Sequence, residues 1–207
     1  MYSTRSGLTL GFHGCDESIA MEVLTGKSFL KESANSYDWL GHGIYFWENS
    51  PSRAMDFACH LQKHPNHSKG VIKKPAVIGA VIDLGSCFDL LDYQNLQLLK
   101  SGYSILQETN DDTTFPQNKT IGNLGDLLLR DLDCAVIEAV HTVRQQTGHF
   151  PFDSVRSVFY EGNELYPNAG FREKDHVQLC IRNPNCIKGF LALLCKYIFV
   201  SLRPKRI

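Results

Sequence analysis

Residues 75–84, Pro-Ala-Val-Ile-Gly-Ala-Val-Ile-Asp-Leu, are apolar at almost every position. A strand with one wetted face alternates apolar and polar side chains, so a run apolar at both parities belongs to a strand covered on both sides. Any fold for this chain must lay something over each face of that strand. The rest of the sequence offers short strand patterns and helices without a regular strand–helix alternation, which predicts α+β architecture rather than a doubly wound parallel sheet.

The pattern can be followed along the chain. Residues 8–12 form a short strand running into His13-Gly14, and 17–24 have helical spacing with Asp16 placed as the cap. A polar loop at 33–42 leads to a strand at 43–47, rich in aromatic and β-branched residues. Pro51 then opens a helix over 52–61. Residues 88–108 read as mainly helical, 110–119 as a polar loop, and 121–146 as one long helical pattern with a broad apolar face. Further strand patterns stand at 155–160 and 176–181, separated by a loop at 162–174 rich in Asn, Gly and Pro. A turn at Asn183-Pro184-Asn185 precedes a last apolar stretch from Ile187.

No repeat, low-complexity tract or linker divides the 207 residues, and 43% hydrophobic against 21% charged residues is enough for one substantial core. The expectation is a single domain, 1–207. A net charge of −1 excludes a global basic field of the kind that coats nucleic acid or a membrane surface. The seven cysteines are odd in number, without a CxxC pair, and mostly set in apolar runs, as free thiols in a reducing compartment are. Met1-Tyr-Ser-Thr-Arg-Ser-Gly lacks the apolar stretch of a signal peptide. The run at 189–202 is interrupted by Lys196 and is shorter than the roughly 20 residues that a membrane span needs. A cytoplasmic protein without membrane contact is therefore expected.

Three separated pieces carry the chemistry. Phe12-His13-Gly14 ends the first strand. Trp39-Leu-Gly-His-Gly-Ile-Tyr-Phe-Trp47 leads into Glu48-Asn-Ser-Pro-Ser-Arg53-Ala, with Gly41 and Gly43 suited to a tight turn or a close backbone approach to a ligand. In a strand from Gly43, Tyr45 and Trp47 share a face. Asp175-His-Val-Gln-Leu-Cys-Ile-Arg182 places His176, Gln178 and Cys180 on one face of a late strand.

His-Gly on a first strand, followed by Gly-x-Gly-Ile-Tyr-Phe and a helix bearing Ser and Ala, resembles the ADP-ribosyltransferase superfamily. The likeness is closer to its diphtheria-toxin-like and poly(ADP-ribose) polymerase branch. It spans residues 8–90 well and 155–190 loosely, and leaves 91–150 unmatched. The resemblance implies two small, packed, mainly antiparallel sheets flanked by helices, with NAD+ as substrate and no metal.

It also implies roles. His13 would hydrogen-bond a ribose hydroxyl, on either the adenine or the nicotinamide side. Gly14 would meet the nicotinamide carboxamide with its backbone, Gly43 would border the ligand, and Tyr45 would stack on the nicotinamide ring. The branch places a Glu on the late strand, where it binds the ribose 2′-hydroxyl and steadies an oxocarbenium-like transition state. This chain departs there. Gln178 is favoured because its amide can still anchor the hydroxyl, with His176 close behind. Glu161, in the loop before that strand, is a candidate for the missing carboxylate. Arg53 and Arg172 are candidates for the pyrophosphate.

Without an acid on the ribose, polymer formation is disfavoured, and a mono-ADP-ribosyltransferase acting on a macromolecular acceptor, protein or nucleic acid, is expected. An NAD+ glycohydrolase and a non-catalytic binder of ADP-ribose or a partner are the alternatives. The compact size would suit a bacterial toxin or phage-defence effector, with a cognate antitoxin or regulator as partner. Two other chemistries fit the sequence less well. His60, His64 and His67 have zinc-like spacing, but Pro65 and Asn66 break the helix that would align them. Cys15 beside His13 is a poor match to a Cys–His nucleophile, whose partners are usually distant in sequence.

Overall fold

A computed structural model describes residues 7–65, 70–109, 115–120 and 126–193. The architecture is α+β: four helices, a seven-stranded sheet and a separate two-stranded hairpin. In chain order the elements are β1 (Thr9–Asp16), α1 (Glu17–Leu24), β2 (Ile44–Glu48), α2 (Pro51–Lys63), β3 (Pro75–Ile82), β4 (Cys87–Asp89), α3 (Tyr93–Thr109), β5 (Asn118–Thr120), β6 (Leu127–Arg130), α4 (Asp131–Gln146), β7 (Ser154–Phe159), β8 (His176–Ile181) and β9 (Ile187–Ala192). A 3-10 turn at Pro184–Cys186 leads into β9.

The sheet runs β4-β7-β8-β2-β1-β3-β9, with β4–β7 parallel and every other pairing antiparallel. The expectation of two small packed sheets is corrected here, since one continuous sheet is formed. Its joint is narrow, however. β1 pairs with β2 only at Gly11↔Glu48 and Phe12↔Trp47, whereas β1 pairs with β3 along its whole length. Had that short ladder failed, β4-β7-β8-β2 and β1-β3-β9 would be separate sheets.

The apolar run at 75–84 becomes β3, covered on both sides as its composition requires. Ile78, Ala80 and Ile82 pack with Phe46, Ile181 and Leu179 in the core that holds Ala20 and Val23 of α1. The opposite face is covered in two parts. α2 packs over β1, where Ala54 joins Phe12 and Trp47. Ile137 and Val140 of α4 cover Phe88, Val155 and Cys180 at the other end, with α3 behind them.

Local signals explain the helix starts. Asp16 caps α1 by accepting from the Ser18 N–H at 3.0 Å, and its other oxygen takes the Lys73 and Lys74 N–H groups at 2.7 and 2.9 Å. These bonds, the one from the Ser18 hydroxyl foremost, hold its carboxyl well below the usual range. Pro51 opens α2, and Asp92 caps α3 through the N–H groups of Gln94 and Asn95.

The long helical pattern at 121–146 is corrected in part: Leu127 and Leu128 lie on β6, α4 begins at Asp131, and 121–125 fall outside the described residues. Among the described residues no helix is long and apolar enough to cross a membrane. The end of the 189–202 run also lies outside the described residues.

Candidate functional site

The three motifs meet on adjacent strands β1, β2 and β8. Past Phe12↔Trp47 the antiparallel register would next pair His13 with Phe46, Gly14 with Tyr45 and Cys15 with Ile44, but the ladder makes none of these rungs. β1 instead follows β3, and β2 follows β8, through Tyr45↔Cys180 and Trp47↔Gln178. The sheet therefore splays where His13-Gly14 and Tyr45 face each other. By alternation His13 falls on the α1 face while Tyr45 and Gln178 fall on the other, and the splay is what connects them.

His13 reaches across it. Its Nδ1 lies 2.8 Å from the Tyr45 carbonyl oxygen. A carbonyl only accepts, so Nδ1 carries the hydrogen and Nε2 is left with a lone pair. Burial lowers the His13 pKa and outweighs this bond, which pulls the other way, so the ring is neutral at pH 7. A neutral ring with Nε2 as acceptor suits a hydroxyl donor.

Tyr45 is anchored at both capacities of its hydroxyl, which donates to the Gly41 carbonyl at 2.7 Å and accepts from the Leu40 N–H at 3.0 Å. Burial raises its pKa well above 10. With the hydroxyl engaged, the ring face is what this half-buried side chain can offer a ligand. The glycines of the two motifs serve packing. A Cβ on Gly14 would sit 2.1 Å from the Ala54 carbonyl oxygen, so α2 can lie this close to β1 only over a glycine. A Cβ on Gly43 would sit 2.6 Å from the Ile181 carbonyl of β8.

His176, Gln178 and Cys180 share a face of β8, as their alternation predicts. The two third-position candidates differ in setting. His176 is buried, its ring stacked on Phe159 (5.5 Å between centroids) and tilted against Trp47 (6.1 Å), with Nδ1–H donated to the Lys174 carbonyl at 2.6 Å. Burial lowers its pKa too. Gln178 is half-buried and accepts the Trp39 indole N–H on Oε1. Gln178 is the better placed of the two to touch a ligand.

The structure brings Glu161 and Arg53 to this cluster but pairs them with each other, 2.6 Å apart. Lys174 lies 3.7 Å from Glu161, and the Arg53 guanidinium stands over the Trp47 ring at 5.7 Å. Arg172 lies elsewhere, bonded to the buried carboxylate of Asp126 at 2.8 Å. Trp47 Nε1 and Arg53 Nε are buried donors without a hydrogen-bond partner among the described residues. Orphaned buried donors are uncommon enough to mark a place where an acceptor belongs.

Sequence reasoning missed the frame that holds the Gly41-His42-Gly43 turn. Glu138 of α4 accepts the His42 N–H at 2.9 Å, and Arg182 donates to the His42 carbonyl at 3.0 Å while binding Glu138 through both terminal nitrogens. Burial opposes ionisation of Glu138, but these bonds overcome it and lower its pKa. A lone acid flanked in sequence by Ile137 and Ala139 is the one local signal for Glu138. Trp39 and Arg130 gave none, since their partners lie far along the chain.

Of the two rival chemistries, the cysteine one is disfavoured by its setting. Cys15 is buried, and burial with the nearby Asp16 charge pushes its thiol up to about 11, so it is not a thiolate at neutral pH. The rings of His60 and His64 lie 4.6 Å apart, and His67 falls outside the described residues.

No protein-family model matches this chain, and no solved structure matches it. An uncharacterized protein of Methanocaldococcus jannaschii, MJ0359, is 24% identical over 196 residues, which cover 86% of this chain and 83% of that protein. The name of that relative assigns no activity.

Proposed function

We propose that this protein binds NAD+ at the splay between β1 and β2 and transfers its ADP-ribosyl group to an acceptor, as a mono-ADP-ribosyltransferase. The observation that carries this reading is the splay itself: two adjacent strands leave three rungs unmade, and the His-Gly and Tyr motifs line the opening. The fold, α+β with a sheet nearly divided at that point, is compatible with the ADP-ribosyltransferase architecture.

In this reading the carboxamide of nicotinamide pairs with the backbone edge of Gly14, and its ring lies against the face of Tyr45. His13 Nε2 accepts a ribose hydroxyl. The bond from ribose C1′ to nicotinamide breaks with both electrons leaving on the nicotinamide nitrogen. The ribosyl cation is captured by a nucleophile of the acceptor, which gives up its proton. Gln178 offers an amide rather than a charge, so catalysis rests on positioning and preorganised dipoles. Trp47 Nε1 and Arg53 Nε supply donors for oxygen atoms of the same ligand.

A second reading, a binder of ADP-ribose without turnover, draws on the internal engagement of Gln178 by Trp39 and of Glu161 by Arg53. Nicotinamide release from NAD+ separates the two. Release that falls on His13→Ala and Tyr45→Ala supports the enzyme, and adding cell protein and RNA separately then identifies the acceptor class. ADP-ribose binding with no release in any tube establishes the binder. Release at the same rate with water alone points to NAD+ glycohydrolysis.

A further inference from the structure

Described residues of 91–150, the stretch that the resemblance leaves unmatched, build one wall of a cavity of about 710 Å³. α3, β6 and α4 supply that wall, and β7 with Trp39 supplies the other. The cavity adjoins the candidate site through two direct contacts. Trp39 donates to Gln178, and Phe159 stacks on His176. Its volume falls within the usual 300–1,000 Å³ of ligand pockets.

Its lining is aromatic and cationic. Trp39 and Phe159 meet edge to face at 4.8 Å, and the Arg130 guanidinium lies over both rings, at 4.7 and 5.5 Å. Tyr103 and Tyr160 add partly exposed rings at the rim. Two acids line the cavity, but each is already matched: Asp133 by Arg130 and Asp126 by Arg172. Lys100 is exposed on the rim and makes the lining net positive. Aromatic rings do not stop at the rim. Beyond Tyr160 the same loop exposes Tyr166 at 57% and Phe171 at 64%, next to Arg172.

We infer that this cavity takes a base of a single-stranded nucleic acid, and that the exposed rings of the 160–171 loop continue the strand outward. Aromatic rings beside cations bind unpaired bases and their phosphates, whereas a folded protein acceptor has no comparable series of flat groups to offer. The inference rests on the ADP-ribosyl transfer reading, and deepens it by naming the acceptor. A nucleophilic nitrogen of the bound base attacks ribose C1′, the bond to nicotinamide breaks with its electrons leaving on nicotinamide, and the attacking nitrogen loses its proton to solvent.

The test separates binding from transfer. Fluorescein-labelled single-stranded DNA and RNA homopolymers of each base are titrated into the full chain without NAD+, with anisotropy and intrinsic tryptophan fluorescence as readouts. Mononucleotides, and NAD+ alone, form parallel arms. The expected result is salt-dependent strand binding with quenching of tryptophan emission, weakened about tenfold by Tyr103→Ala and by Lys100→Glu. NAD+ affinity should be unchanged in both folded variants. Four results overturn it: no strand binding by the wild-type protein, equal binding by the variants, mononucleotides binding as tightly as strands, or NAD+ affinity falling with strand affinity. The last would make the cavity part of the donor site. Failure of the transfer reading looks different, as strand binding without nicotinamide release.

Discussion

Trp39 hands its indole N–H to Oε1 of Gln178 across 139 positions of sequence. An indole nitrogen only donates, so this bond also fixes which end of the Gln178 amide is oxygen. The NH2 end is thereby the one turned toward other partners, and it can donate to a ribose oxygen. Replacing Gln178 with Glu keeps an acceptor for Trp39 and adds a negative charge beside the developing ribosyl cation. Gln178→Glu is expected to raise nicotinamide release about tenfold, a modest share of what preorganised charge provides in active sites. Trp39→Phe should lower release severalfold with the thermal midpoint little changed. Steady-state release assays with both variants check this, and a Gln178→Glu variant slower than wild type would remove Gln178 from the mechanism.

Tyr45 offers its ring, not its hydroxyl, because Gly41 and Leu40 already hold the hydroxyl. Tyr45→Phe leaves the Leu40 N–H without its partner and should cost about 1–3 kcal/mol of stability, while NAD+ turnover stays within a few fold. Tyr45→Ala removes the stacking surface and should abolish release. Denaturant melts beside release assays distinguish the two effects. Turnover lost equally in both variants would assign the hydroxyl, rather than the ring face, to the ligand.

Much of this arrangement could be read from the chain before folding. The strands read at 75–84 and 176–181, the Asp16 cap, the Pro51 helix start and the shared face of His176 and Gln178 all follow from local chemistry. What escaped is non-local. β6 takes Leu127 and Leu128 from a helical pattern because pairing with β5 overrides periodicity. Gly14 reads equally well as a ligand contact or as a packing contact, and only the position of the Ala54 carbonyl decides that α2 demands it. Under the resemblance Glu161 and Arg53 are each candidates for ligand roles, yet they are 108 positions apart and bonded together. Nor does any local pattern reveal that the β1–β2 ladder stops after two rungs.

Gly14→Ala tests that packing claim directly. The new methyl would fall 2.1 Å from a backbone oxygen, which has no rotamer through which to yield, so α2 must shift or β1 must bend. A loss of about 2–4 kcal/mol is expected, or roughly 5–15 °C in thermal midpoint. Gly148→Ala is not a suitable control because Gly148 has a positive φ, whereas Gly189→Ala has open space and ordinary backbone. A Gly14→Ala protein that melts like wild type but fails to bind NAD+ would show that the missing side chain makes room for the ligand rather than for α2.

Acid should destabilise the fold well before the carboxylates titrate. His13, His141 and His176 are all lowered by burial, His141 to about 3 with the Arg182 charge adding to the effect. Each ring is neutral in the folded protein but takes a proton near pH 6.5 once unfolded. The unfolded state therefore binds more protons below that pH. The stabilising contribution is complete above about pH 6.5 and is lost progressively as pH falls toward the folded values. His141 is the cleanest probe, because neither ring nitrogen has a hydrogen-bond partner among the described residues and Phe152 stands edge-on to it at 5.9 Å. His141→Leu removes two orphaned polar atoms from the core and should gain about 1–2 kcal/mol at pH 7. It should also shrink the fall in thermal midpoint between pH 7 and pH 5, leaving the part due to His13 and His176. Melting curves across that range provide the check, and a His141→Leu protein with an unchanged pH slope would mean that His141 is not the group that acid recruits.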